Sequence, residues 1–171
     1  HSTYRPVAVY ASDVNGDGIT ELPRAVLMAG YKDTSSSDAV YMLDWYAYGI
    51  GKVPTKVATT YQNISDAWSL LIDQKWHDRI TAIKANDGGL SYVEFFEYRK
   101  DKMSIPLFNI YCATGSNREY YAERTDLIQL GQTTQAIYFA KLTNEGEQSE
   151  LALTGDEIKA RFSLVNQAWN N

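Results

Sequence analysis

Asp13, Asn15, Asp17 and Glu21 place four oxygen-bearing side chains in one short stretch, Asp13-Val14-Asn15-Gly16-Asp17-Gly18-Ile19-Thr20-Glu21. Oxygens at loop positions 1, 3 and 5 converge on a point when the backbone coils tightly between them. Gly18, at position 6, permits the sharp turn that a residue with a Cβ resists. Ile19 at position 7 can add its backbone carbonyl, and Glu21 at position 9 can close the shell directly or through water. Hard oxygen ligands in flexible number suit Ca²⁺ better than Zn²⁺ or Mg²⁺. Position 12, the bidentate Glu of an EF-hand, is Arg24 here, so the stretch is not a complete EF-hand. The competing reading is an empty turn, because Asn-Gly and Asp-Gly are ordinary turn formers.

On these residues the chain resembles the calcium loops of FG-GAP/VCBS-type repeats and of dockerins, which share Asp-x-(Asp/Asn)-x-Asp-Gly. The resemblance covers about the first 30 residues. Dockerins follow each of two loops with a helix, whereas this single loop runs into Leu22-Pro23 and a strand-like run. The FG-GAP-like arrangement, a loop between strands, is the better match. It implies Asp13, Asn15, Asp17 and Glu21 as side-chain ligands and Ile19 as a carbonyl ligand. The ninth position is usually Asp in that family, so the longer Glu21 is a departure.

Other reactive residues give weaker signals. Cys112 and His77 are the elements of a Cys–His nucleophile pair. Cys112, however, shares strand parity with Phe108 and Ile110, which predicts a core thiol. No Gly-Lys-Ser/Thr phosphate loop, Gly-x-Ser-x-Gly elbow or His-Glu-x-x-His helix occurs. Asp44, Glu94, Glu97, Glu119 and Glu123 could serve glycoside chemistry if the fold paired two of them. Tyr41, Trp45, Tyr46, Tyr48, Tyr120 and Tyr121 could form an aromatic platform for a glycan or peptide, although core and cross-strand packing is the favoured use of such residues.

The elements that must hold these groups read as strands. Val7 to Ala11 alternates, Arg24 to Tyr31 follows the acidic loop, and Val40 to Tyr48 comes after a polar loop from Asp33 to Asp38. Lys56 to Gln62 and Ala67 to Asp73 form a hairpin about Asn63-Ile64-Ser65-Asp66, with Trp68, Leu70 and Ile72 on one face. A short helical turn is expected over Gln74 to Arg79. Ile80 to Ala85 and Leu90 to Tyr98 flank the turn Asn86-Asp87-Gly88-Gly89, the strongest hairpin signal in the chain. Leu107 to Ala113, Leu127 to Leu130 and Ala136 to Leu142 complete the strands. Thr154-Gly155-Asp156-Glu157 is a capping box, and Ile158, Phe162 and Val165 would share one face of the helix it opens. The expected fold is mainly β, a β-rich α+β domain: largely antiparallel sheet with the loop near its start and a terminal helix packed on it. Residues 1–171 read as one compact domain, with 1–50 as a calcium-loop part and 51–171 as a β-rich part in the alternative division.

Composition narrows the functional classes. The 171 residues carry 16 Lys+Arg and 21 Asp+Glu, a net charge of −5, so no basic footprint for nucleic acid is present. No apolar run reaches the roughly 18 residues of a membrane-spanning helix. The single cysteine excludes an internal disulfide without deciding the compartment. The chain begins His1-Ser2-Thr3 with neither Met nor leader, which reads as a piece of a longer precursor holding any anchor elsewhere. From Ile72 to Leu142, the order strand, Trp76 turn, strand, Gly hairpin and Leu107-Phe108-Asn109-Ile110 resembles uncharacterised secreted or lipid-anchored proteins of Gram-positive gut bacteria. That resemblance implies a location without an activity. The combined expectation is a non-enzymatic, extracytoplasmic binding or interaction module with structural Ca²⁺. Its partner would be a glycan, a peptide or a neighbouring domain of the parent. A cell-envelope hydrolase using clustered carboxylates is the alternative.

Overall fold

The computed structural model describes residues 7–31, 39–87, 90–100, 102–116 and 118–165. Among these residues ten strands follow one another: β1 Leu22–Leu27, β2 Tyr41–Ala47, β3 Thr55–Asn63, β4 Trp68–Leu71, β5 Ile80–Asp87, β6 Leu90–Glu97, β7 Ile105–Thr114, β8 Ile128–Gln132, β9 Ala136–Leu142 and β10 Phe162–Leu164. Among the same residues two α-helices interrupt them, α1 Arg118–Ala122 and α2 Gly155–Arg161. All pairings between these strands are antiparallel, in two five-stranded sheets ordered β1-β2-β3-β4-β10 and β5-β6-β7-β9-β8. The expected β-rich, antiparallel architecture is therefore the observed one.

The sheets share one hydrophobic cluster. Met28, Met42, Tyr61, Trp68 and Leu70 come from the first sheet and its connections, and Val93, Phe95, Phe108 and Ile110 from the second. Alternation explains the choice: Val93 and Phe95 are buried while Tyr92, Glu94 and Phe96 between them are half-buried. The centre is aromatic. Tyr61 meets Phe95 edge-on at 5.4 Å across the two sheets, and Phe95 stacks on Phe108 at 4.9 Å. Edge-on and offset contacts let ring edges meet ring faces, adding to the gain from buried area. Many of the aromatic residues thus serve the core.

Trp76 lies in a 3-10 turn, Gln74–Trp76, within the segment expected to be helical. It is fully buried, and its indole N–H donates to the Leu151 carbonyl at 3.1 Å. The hairpin loop before β4 is fixed by Asn63, whose amide donates to Asp66 Oδ2 at 2.9 Å. Tyr138 Oη donates to the Asp66 carbonyl at 2.7 Å. Trp68, Leu70 and Ile72 are buried together, as the period of two requires.

Three local expectations need correction. Val7 to Ala11 is not a strand; just after it, Ser12 pairs with Glu21 in an isolated bridge. Alternating apolar residues make a strand only where a neighbouring strand offers its backbone. The terminal helix stops at Arg161. Phe162 turns to extended backbone at φ −82 and ψ 138, opening β10 with its partner Leu70. Its ring then packs near Trp68 at 5.9 Å and Tyr138 at 5.6 Å, while Val165 leaves the helix face and is 36% exposed. The open edge of β4 outweighs the helical period. Lastly, α1 forms where no helix was expected, and it contacts β7 and β9. The polar loop read over 33–38 and the turn glycines Gly88 and Gly89 lie outside the described residues.

Candidate functional site

The acidic loop is closed at its base by Ser12 and Glu21, which exchange both backbone hydrogen bonds at 3.1 and 2.9 Å. Strand β1 starts at the next residue, so the sheet anchors one end of the loop. Gly16 and Gly18 hold φ of +76° and +83°, the left-handed region in which a Cβ is strained. Those two residues let the loop wrap around the Asp13 carboxylate. Asp13 Oδ1 accepts from Gly16 N at 2.7 Å and Asp17 N at 3.1 Å, and Oδ2 accepts from Gly18 N at 2.8 Å. These amide donors, Gly18 first, hold the Asp13 carboxyl below its usual range.

The remaining sequence-predicted ligands sit in the same loop. Asp17 Oδ1 accepts from Ile19 N at 2.8 Å, and Asp17 Oδ2 accepts from the Asn15 amide at 3.0 Å. Asn15 Oδ1 in turn accepts from Asp17 N at 3.1 Å. Ile19 is exposed, and so are Asp13, Asn15 and Asp17. Glu21 differs from all of them. Its side chain reaches back so that Oε2 accepts from Val14 N at 2.9 Å, and the residue is 0% exposed. Its other oxygen, Oε1, is buried with no hydrogen-bond partner.

A buried carboxylate oxygen without a donor is costly. A hard cation would relieve that cost, and the donor set suits one. Carboxylates offer about four lone-pair sites, so the three amide bonds to Asp13 leave capacity for a metal. Among the described residues, no three His, Cys, Asp or Glu side chains gather into a metal-ligating group. The loop's own donors are a mixed set of carboxylates, an amide and a backbone carbonyl, and Asp13 and Asp17 face N–H groups.

Sequence reasoning located Asp13, Asn15 and Asp17 by spacing, but the burial of Glu21 has no signature in the sequence. It depends on the Ser12–Glu21 bridge, which joins positions nine apart.

The other candidates are dispersed. Cys112 is buried, beside the Tyr138 hydroxyl and Ser91, and burial pushes its thiol up to about 11. His77 instead lies against Asp44 at 4.0 Å and Asp78 at 3.6 Å, on a different set of neighbours. A buried neutral thiol set apart from His77 is not an activated nucleophile. Asp44 is buried and accepts from Thr59 Oγ1 at 2.6 Å and Lys56 Nζ at 3.4 Å. Glu97 is held by Ser149, Arg99 and Arg79, and Glu119 by Arg118 at 3.3 Å. Glu94 accepts from Asn109 at 3.5 Å, and Glu123 is exposed. These contacts are to cations, hydroxyls and amides and pair no two of the acids.

The candidate aromatic platform is likewise divided, in favour of the packing use of these residues. Trp45 is 1% exposed and donates to Thr60 Oγ1 at 2.9 Å, as a structural residue would. Tyr41 and Tyr46 are half-buried on β2, and Tyr48 beyond it is exposed. Tyr120 and Tyr121 belong to α1, where Tyr121 lies 6.5 Å from Phe139. A pair not singled out from the sequence, Tyr92 and Tyr111, stands side by side on β6 and β7 with ring centroids 5.3 Å apart. Asn109 donates to Tyr111 Oη at 3.0 Å beside Glu94. Strand register alone brings these four together.

Comparison of the chain with known proteins finds no matching family model, no matching curated protein and no matching solved structure. Among the described residues no helix is long and apolar enough to cross a membrane.

Proposed function

We propose that the Asp13–Glu21 loop binds Ca²⁺ and that the ion stabilises a β-rich extracytoplasmic binding or interaction module. Asp13, Asn15, Asp17 and Glu21 supply side-chain oxygens and Ile19 its carbonyl. The observation that carries this reading is the wholly buried Glu21 carboxylate, with one oxygen on Val14 N and the other unpartnered. An empty turn has no need of a buried charge at its base, whereas a cation site gains directly from one. Loops of this kind in extracellular modules bind at roughly 10⁻⁴ to 10⁻³ M, which suits calcium levels outside the cytoplasm.

The role assigned to the ion is structural. In this reading a glycan or peptide meets the outer face of the second sheet, where Tyr92 and Tyr111 offer ring faces and Asn109 and Glu94 offer polar groups. Rings with adjacent amide and carboxylate groups suit a ligand that combines apolar faces with hydroxyls or amides. The test of the calcium reading is a pair of thermal melts, in chelator and in excess Ca²⁺, on the wild-type chain and on Asp17→Ala. The wild type should melt higher with calcium and the variant should show no shift. Equal wild-type melts would remove the proposal.

A further inference from the structure

The sole Asn-Gly step in the sequence, Asn15-Gly16, lies on the exposed part of the acidic loop. An Asn side chain followed by glycine is the arrangement most open to intramolecular attack, since the next amide nitrogen has no Cβ beside it. Around Gly16 a built Cβ would meet nothing within 4 Å, so nothing packed there obstructs a ring. Both reacting groups are nevertheless occupied. Gly16 N–H donates to Asp13 Oδ1 at 2.7 Å, while the Asn15 amide exchanges hydrogen bonds with Asp17 at 3.0 and 3.1 Å.

We propose that Asn15 is a deamidation site gated by the closed loop, its conversion proceeding only when Asp13 and Asp17 release Gly16 N–H and the Asn15 amide. In the open loop Gly16 N bonds to Asn15 Cγ, the Cγ–Nδ2 bond breaks, and ammonia departs with the Gly16 proton. Water then opens the succinimide, at Cγ to give Asp or at the main-chain carbonyl to give isoaspartate. Either product replaces the donor that Asn15 presents to Asp17 with a like charge. The isoaspartate also lengthens the backbone by one carbon ahead of Gly16, moving its N–H from Asp13. Modification therefore changes the charge and shape of the loop irreversibly. The gate itself stands without the calcium reading, and only the calcium arm below rests on it.

The test incubates the full chain near neutral pH in chelator and maps the amide-to-acid mass gain, with isoaspartyl methyltransferase labelling as a second readout. Conversion is expected to concentrate at Asn15 and to vanish from that peptide in Asn15→Gln. Asp13→Ala and Asp17→Ala should each convert about fivefold faster, the factor matching one typical net hydrogen bond. Circular dichroism checks that each variant keeps its strands, and either folded variant suffices. An intact Asn15 in folded chain, under conditions that convert the denatured chain, overturns the site. Folded variants that react at the wild-type rate overturn the gate. Excess Ca²⁺ should slow the wild type; equal rates with and without it would count against calcium binding and leave the deamidation site standing.

Discussion

Glu21 and Val14 are joined by a 2.9 Å hydrogen bond from a backbone N–H to a wholly buried carboxylate, which leaves the second carboxylate oxygen unpartnered. That relation makes Glu21 a cost in the metal-free chain, one that the proposed Ca²⁺ would turn into an asset. Glu21→Gln keeps the shape, removes the charge and can still accept from Val14. In chelator the variant should be more stable than wild type by about 1 kcal/mol, since an unpaired buried charge has been removed. In excess Ca²⁺ the order should reverse. Urea unfolding in both buffers measures it, and a variant weaker than wild type in chelator would contradict the cost.

Tyr61 poses the same question in the core. Its ring is held between Trp68 and Phe95 at 5.4 Å from each, but its hydroxyl is buried without a partner, and burial pushes its ionisation upward. Tyr61→Phe retains the ring contacts and removes an unsatisfied polar atom. It should raise stability by about 1 kcal/mol in denaturant unfolding. A loss of that size would mean the hydroxyl is satisfied in solution.

The capping box was legible from Thr154 and Glu157 alone because both halves of the motif are local. Glu157 N donates to Thr154 Oγ1 at 3.2 Å, and Thr154 N donates to Glu157 Oε2 at 2.7 Å. Thr154→Ala should cost about 1 kcal/mol, measured by equilibrium unfolding. The end of the same helix was not legible. Phe162 leaves the helical period because β4 offers Leu70 as a ladder partner, a fact set by residues far away in sequence.

The same division holds elsewhere. The spacing of Asp13, Asn15 and Asp17, the hairpins, and β9 at Ala136–Leu142 depend on neighbours in the chain, so the sequence announces them. The burial of Glu21, the pairing of Tyr92 with Tyr111 and the loss of Trp45 to the interior depend on register between strands. Residue type cannot report register. Nor could Val7 and Val9 announce that, among the described residues, no strand pairs with them.

Glu97 gives a pH dependence with a definite sign. The Ser149 hydroxyl, helped by Arg99 and Arg79, holds its carboxyl below the ordinary value of 4.5 despite burial. A depressed native value means that this contribution is present above the ordinary value and is lost as pH falls through the native one. Glu97→Gln should therefore be less stable than wild type at about pH 6, with the gap narrowing at about pH 3. Denaturant titrations at the two pH values read the difference. A gap that widens in acid would reverse the assignment.

Calorimetric titration of metal-stripped chain with CaCl₂, paired with a repeat on Asp17→Ala, bears most directly on the acidic loop. One saturable site per chain is expected in the wild type and none in the variant. At free calcium about 100 times the dissociation constant, the fold should gain about 2.7 kcal/mol. Absence of heat and of any stability gain in millimolar calcium would contradict the account.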